Sequence, residues 1–194
     1  MTAPPLLAIF VGGKSRRMGK HKGFLAIPGS PEPILEALVR RGREAGFDPV
    51  LVGDATPYAQ LAEGVLRLED DPPGAGPLAG LQGALRHALT THRSRLVAIA
   101  CDMPFVAAEA LSEARDHPSP AVVVAPKRSA DAPWEPMLAR YDAARLAAPL
   151  AEAISRGERS FQTLFASIEV EELPLSEAVE RALEDWDRPE DLLR

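Results

Sequence analysis

The sequence predicts an α/β protein: a mostly parallel sheet packed between helices as a three-layer α/β/α sandwich, one domain over residues 1–194. Three observations carry that expectation. The strongest apolar runs do not alternate with polar residues, which marks strands buried on both faces. Segments with helical spacing fall between the runs, and strands alternating with helices imply right-handed crossovers. Glycine-rich or acidic segments follow the runs at their carboxyl ends, where open α/β sheets bind ligands.

Leu6 to Val11 is the first run, ended by Gly12-Gly13. Ile34 to Ala45 has apolar residues at 34, 35, 38, 39 and 45 with Arg and Glu between them, so it reads as a helix stopped at Gly46. Val50 to Gly53 and Val65 to Leu68 are the next strands. Glu69 to Pro77 is a loop rich in Asp, Pro and Gly, and Leu78 to Leu89 is a helix. Arg95 to Cys101 is the clearest interior strand, with Asp102 at its carboxyl end. Glu109 to Arg115 reads as a short helix and Ala121 to Ala125 as a strand. After Ala130 the pattern loosens: a strand at Met137 to Tyr141, a helix at Ala143 to Arg156, a short helix at Ser160 to Phe165 capped by Ser160, and an edge strand at Ile168 to Leu173.

Composition excludes several function classes. The charge is -6 over 194 residues, so a general nucleic-acid groove is not expected. A single cysteine, Cys101, excludes a disulfide framework and a cysteine-built zinc site. No apolar run has the ~20 residues that span a bilayer, so no membrane partner is expected. The first residues lack a basic segment, and Leu6 to Val11 is too short for a signal peptide; the cytosol is the expected compartment.

Against this acidic background, Lys14, Arg16, Arg17, Lys20 and Lys22 crowd one segment directly after the first strand. That points to a small anionic ligand. Gly12 and Gly13 open backbone N–H groups to a close-approaching anion, Ser15 adds a hydroxyl, and Arg17 and Lys22 add cations. The dinucleotide pattern G-x-G-x-x-G does not fit, and neither does a P-loop, since five residues separate Gly13 from Gly19 and His21 follows Lys20. Asp102 is a hard oxygen donor at the same rim and suits Mg²⁺, which takes one or two carboxylates plus substrate phosphates. Cys101 reads as a packed strand residue, not a nucleophile.

The segment Gly12-Gly13-x-Ser15-x-Arg17-Met18-Gly19-x-x-Lys22 resembles the signature loop of the nucleoside-triphosphate transferases with a Rossmann-like fold, the fold of the nucleotide-diphospho-sugar transferases. The resemblance implies that Phe10, Val11 and Gly12 line the base and ribose, and that Arg17 holds the terminal phosphates. It implies that Lys22 steadies the reacting phosphate and that Asp102, in Cys101-Asp102-Met103-Pro104, is the magnesium ligand. His21 stands where the family usually has Asp. Gly76-Pro77-Leu78-Ala79-Gly80 is similar to one branch, the molybdenum cofactor guanylyltransferases. There an Asp several residues before the glycine contacts the nucleotide; Asp71 fits best by spacing, with Asp70 the alternative. Asp185-Trp186-Asp187-Arg188-Pro189-Glu190-Asp191-Leu192 resembles the family's Asn-x-Asn-Thr-Pro-Glu-Asp-Leu, with aspartates in place of both asparagines. Asp185 or Asp187 either adds a carboxylate to the metal site or precedes a terminal helix begun by Pro189. Trp134-Glu135-Pro136 departs from the family's usual His or Gln before Pro, so the resemblance implies a different acceptor pocket there.

What the resemblance implies is Mg²⁺-dependent transfer of GMP from GTP to the terminal phosphate of molybdopterin, with release of pyrophosphate. The partners it implies are GTP and molybdopterin (the molybdenum cofactor), and acceptor molybdoenzymes or their chaperones downstream. The catalytic residues would be Lys22, Arg17 and Asp102; the nucleotide-binding ones Phe10, Val11, Gly12, Gly13, Ser15, Lys22, Asp71 and Asp102. Three readings compete: the sister cytidylyltransferase, another small nucleotidyltransferase, and a non-catalytic nucleotide binder. Arg156 and Arg159 either meet an acceptor phosphate or are solvated at a helix end. His87, His92 and His117 have no ligand spacing.

Overall fold

The computed structural model describes residues 3–11, 22–27 and 29–184. Seven strands form one sheet in the order β3-β2-β1-β4-β6-β5-β7. They are β1 Leu6–Phe10, β2 Asp48–Val52, β3 Leu66–Leu68, β4 Arg95–Ala100, β5 Val123–Ala125, β6 Ala139–Asp142 and β7 Val170–Glu172. The helices are α1 Ile34–Glu44, α2 Pro77–Thr90, α3 Ala108–Asp116, α4 Ala143–Ser155, α5 Phe161–Phe165 and α6 Glu177–Ala182.

Alternate residues of each central strand feed opposite faces, which produces the three layers. Leu7 and Ile9 of β1, Leu51 of β2, and Val97 and Ile99 of β4 pack with Ile34, Leu35 and Leu38 of α1, Leu111 of α3 and Val179 of α6. Leu6, Ala8 and Phe10, with Val50, Val52, Leu96 and Ala98, pack with Leu78, Leu81 and Leu85 of α2, Leu146 and Leu150 of α4, and Phe161 of α5. Both faces are covered, which is why the runs show no alternation. Burying each of the Val, Leu, Ile and Phe side chains among them contributes about 1.5–3 kcal/mol before entropy is subtracted.

The sheet is parallel except at β6, which runs against both β4 and β5. The reversal has a local cause. Residues 126–138 contain no helix to carry the chain back to the other end of the sheet, so it re-enters antiparallel. The bridge between Lys127 and Trp134 closes this loop.

Helix ends follow the expected chemistry. Gly46 takes φ +79° just after α1, a conformation other residues adopt reluctantly. Ser160 Oγ accepts from Gln162 N at 3.2 Å, capping α5. Three elements have no counterpart in the sequence expectation: α6, and short 3₁₀ turns at Lys22–Phe24 and Thr56–Tyr58. The α6 start carried a usable signal, since Ser176 Oγ accepts from Val179 N at 3.2 Å as a helix cap.

Candidate active site

Backbone pairing continues past the strand ends and sets the rim. Val11 N donates to Val52 O at 3.0 Å, Gly53 N to Leu68 O at 2.9 Å, and Cys101 N to Phe10 O at 3.0 Å. Val11, Gly53, Leu68 and Asp102 therefore stand side by side at the carboxyl ends of β1 to β4. Gly12, Gly13, Ser15 and Arg17, with the remainder of residues 12–21, lie outside the described residues, as do Asp185 and Asp187. The two flanks of that glycine-rich segment, Val11 and Lys22, are described.

Lys22 opens the 3₁₀ turn Lys22–Phe24, closed by Leu25 N donating to Lys22 O at 3.0 Å. Its Nζ donates to Asp102 Oδ2 at 2.7 Å, and the two side chains are 12% and 23% exposed. The structure thus brings together two residues 80 positions apart in the chain. Behind Asp102, Arg41 of α1 donates through Nη1 to Pro104 O and Val106 O, both at 2.8 Å. Burial, and then the neighbouring Arg40 charge, pull the Arg41 pKa down. Arg41 pins the chain directly after the carboxylate. Nothing in the sequence marked it, because an arginine on an amphipathic helix reads as solvated.

Cys101 is buried, and burial, with the Asp102 charge second, pushes its thiol up to about 12. A thiol held protonated at neutral pH is no nucleophile, as expected from the sequence.

On the other side of β1, residues Gly53 to Thr56 and Arg67 to Asp70, with Pro73 and Gly74, line a cleft of about 450 Å³. Helix α2 packs against two of these residues, Glu69 and Asp70. A Cβ on Gly80 would lie 2.9 Å from both Phe10 Cε1 and Val52 Cγ1 and 3.2 Å from Asp70 Oδ1. The two candidate aspartates part company here. Asp70 lines the cleft, and burial raises its pKa. Asp71 turns to α2: its carboxylate is paired with Arg86, and its N–H donates to Ala79 O at 3.0 Å.

The rim continues to β6 and β5. Lys127 Nζ sits 4.1 Å from the centroid of the Trp134 ring. Gln162 of α5 holds the Trp134 backbone from both sides, accepting from its N–H at 3.2 Å and donating to its C=O at 2.7 Å. Lys127 is the one lysine outside residues 14–22. Arg156 is committed to Glu152 and Glu158. Arg159 leans on the glycine-rich turn, its Nη1 3.4 Å from Gly74 O.

Among the described residues no three His, Cys, Asp or Glu side chains converge on a metal site. Asp102 alone still fits a magnesium ion completed by phosphate oxygens, because it is a hard, part-exposed carboxylate at the rim.

The family model for the MobA-like NTP transferase domain matches residues 7–172. The chain belongs to that family. It is 34% identical to a protein of Opitutus terrae named probable molybdenum cofactor guanylyltransferase, over 95% of this chain and 91% of that one. It is 32% identical to a Synechococcus elongatus protein of the same name, over 87% of each. In structure, this transferase domain is similar to molybdopterin-guanine dinucleotide biosynthesis protein A from Archaeoglobus fulgidus, with TM-score 0.78, 26% identity, and 97% and 95% of the two chains covered. It shares its fold with the 2-C-methyl-D-erythritol 4-phosphate cytidylyltransferase of Thermus thermophilus, at TM-score 0.65, 16% identity, and 96% and 94% coverage. No helix among the described residues is long and apolar enough to cross a membrane.

Proposed function

We propose that this domain, residues 1–194 acting as one unit, transfers GMP from GTP to the terminal phosphate of molybdopterin and releases pyrophosphate. The observation that carries the reading is the Lys22–Asp102 pair at 2.7 Å, which joins the end of the glycine-rich segment to the carboxyl end of β4. The names of the relatives supply the base and the acceptor. The nucleoside would lie in the cleft at the carboxyl ends of β2 and β3, with Asp70 in its lining and Phe10 and Val11 at the neighbouring end of β1. Gly12, Gly13, Ser15 and Arg17 follow as the phosphate-binding segment.

The acceptor is already an anion, so no strong base is needed. The barrier is the approach of like charges and the charge that collects on the leaving pyrophosphate. Lys22 neutralises the reacting phosphate, and Arg17 the leaving one. Polyphosphate oxygens compete with Asp102 for the Lys22 ammonium, and this exchange frees a carboxylate oxygen. Asp102 would hold Mg²⁺, which when bound supplies charge neutralisation and a fixed phosphate geometry. On the acceptor side, Lys127 over Trp134 offers a cation beside a flat apolar ring, suited to a phosphorylated heteroaromatic group. The cytosol is the compartment in which this substrate pair fits, with molybdoenzymes or their chaperones receiving the product.

The test is pyrophosphate release with GTP, CTP, ATP and UTP, each with and without molybdopterin and Mg²⁺. Release with GTP, dependent on both molybdopterin and Mg²⁺, supports the reading. Preference for CTP moves the assignment to the sister cytidylyltransferase. Silence from folded protein that binds a nucleotide rejects catalysis with this acceptor.

A further inference from the structure

Tyr58 stands between the two halves of the site. It ends the turn Thr56–Tyr58 on the β2–β3 connection, whose preceding residues Gly53 to Thr56 line the cleft. The residue is 2% exposed. The chain directly after Lys22 rests on its ring. A Cβ on Gly23 would lie 2.7 Å from Tyr58 Cε1 and 3.2 Å from Leu35 Cβ, so only glycine fits against the ring. Phe24 stacks on the same ring, with centroids 5.3 Å apart and planes 25° from parallel. Gly23 N–H faces Tyr58 Oη at 3.5 Å. The hydroxyl lies beside the Cys101 thiol, whose neighbour in the chain is Asp102. Tyr58 thus touches the residue after Lys22 through its ring and the side chain of the residue before Asp102 through its hydroxyl.

A lysine is a point charge on a flexible stem, so where its ammonium acts depends on where its backbone is held. A shift of about 1 Å at a reacting centre can cost about 10²-fold in rate. We propose that Tyr58 is a positioning residue that seats the Lys22–Phe24 turn and so sets the Lys22 ammonium against Asp102 and the phosphates of a bound triphosphate. The proposal deepens the guanylyl-transfer reading and rests on it for its rate measurement. The ring carries the effect. At 3.5 Å the hydroxyl contact is at the outer edge of a hydrogen bond, whereas the ring makes the close packing and the stack.

The experiment is a double-mutant cycle on the full chain, read as pyrophosphate release with GTP, molybdopterin and Mg²⁺, and as GTP affinity by calorimetry. Y58F is expected to keep kcat within about threefold, because the ring remains. Y58L is expected to lower kcat by about tenfold or more, with KM for molybdopterin within about twofold, and to cost nothing further in a K22A background. G23A forces its methyl into the same ring and is expected to match Y58L; it takes the place of Y58L if that variant does not fold. Wild-type kcat in Y58L or G23A, a Y58F as impaired as Y58L, or an undiminished loss in the K22A background would each overturn the proposal. If the wild type releases no pyrophosphate with any nucleotide, guanylyl transfer is rejected and GTP affinity decides. It is then expected to fall about fivefold or more in Y58L, and no further in K22A/Y58L than in K22A. Unchanged affinity would overturn the positioning role independently of the reaction.

Discussion

A Cβ placed on Gly83 would lie 2.6 Å from the backbone oxygen of Glu69, so α2 presses directly against the chain leaving β3. The contact is to backbone and has no flexible side chain to yield. Gly83→Ala must therefore shift α2 or the loop, at a cost of about 1–3 kcal/mol. The same shift disturbs Asp70, which belongs to the cleft wall. The expected result is a lower thermal midpoint together with a raised KM for the nucleotide. A variant with unchanged midpoint and KM would show that the packing of α2 against Glu69 does not bear on the nucleotide cleft.

Lys22 and Asp102 should affect activity more than stability. Their side chains are only 12% and 23% exposed, so removing one partner leaves the other charge largely buried and lowers the thermal midpoint, while a cation aimed at developing charge is worth about 10²–10³ in rate. Lys22→Ala and Asp102→Asn are each expected to lose activity by that order while the folded state survives at assay temperature. Asp102→Asn should also raise the Mg²⁺ concentration needed for half-maximal rate. Equal activity in wild type and Asp102→Asn across a Mg²⁺ titration would remove Asp102 from the metal site.

The two aspartates of the second loop are expected to differ. Asp70 lines the cleft, so Asp70→Asn should raise KM for GTP. Asp71 is held by Arg86 on α2, and Arg86 is 64% exposed, so Asp71→Asn should change both KM and stability little. Steady-state kinetics on the pair decides between them; a larger KM effect from Asp71→Asn would reverse the assignment.

Lys127 offers a test of the acceptor side. Lys127→Gln is expected to raise KM for molybdopterin by about tenfold, the worth of one charge-assisted hydrogen bond. KM for GTP should stay the same. An effect on GTP instead would place Lys127 on the nucleotide side.

Alkaline pH should destabilise the fold. Burial raises the Cys101 thiol to about 12, and burial likewise raises the Tyr58 and Tyr141 hydroxyls above their ordinary range. The folded state then holds protons that the unfolded chain releases, so stability falls as pH rises. The contribution is whole below the unfolded thiol value of about 8.5. It is lost progressively toward pH 12. Urea midpoints measured from pH 8 to 11 should decline; a flat profile would mean that water reaches these groups. Native Cys101 should also resist alkylation at pH 8 and react once the chain is unfolded.

The order of strands and helices was legible because burial on both faces leaves unbroken apolar runs, and burial on one face leaves helical spacing. Leu6 to Val11 and Arg95 to Cys101 needed no partner to be read. Lys22 and Asp102 were legible through motifs that sit next to those runs. Helix α6 was missed because its six residues bury only Val179 and Ala182, too few for a period to show.

By itself, the sequence determined the sandwich and the rim, and it pointed to the residue types proposed to meet phosphate there, since each depends on neighbours close in the chain. The tertiary structure alone decided which partner each side chain took. It turned Asp70 to the cleft and Asp71 to Arg86, bound Arg41 to the loop after Asp102, and set Tyr58 beneath Gly23. Those outcomes depend on how loops distant in sequence close over a shared core, and local residue patterns carry no record of such distances.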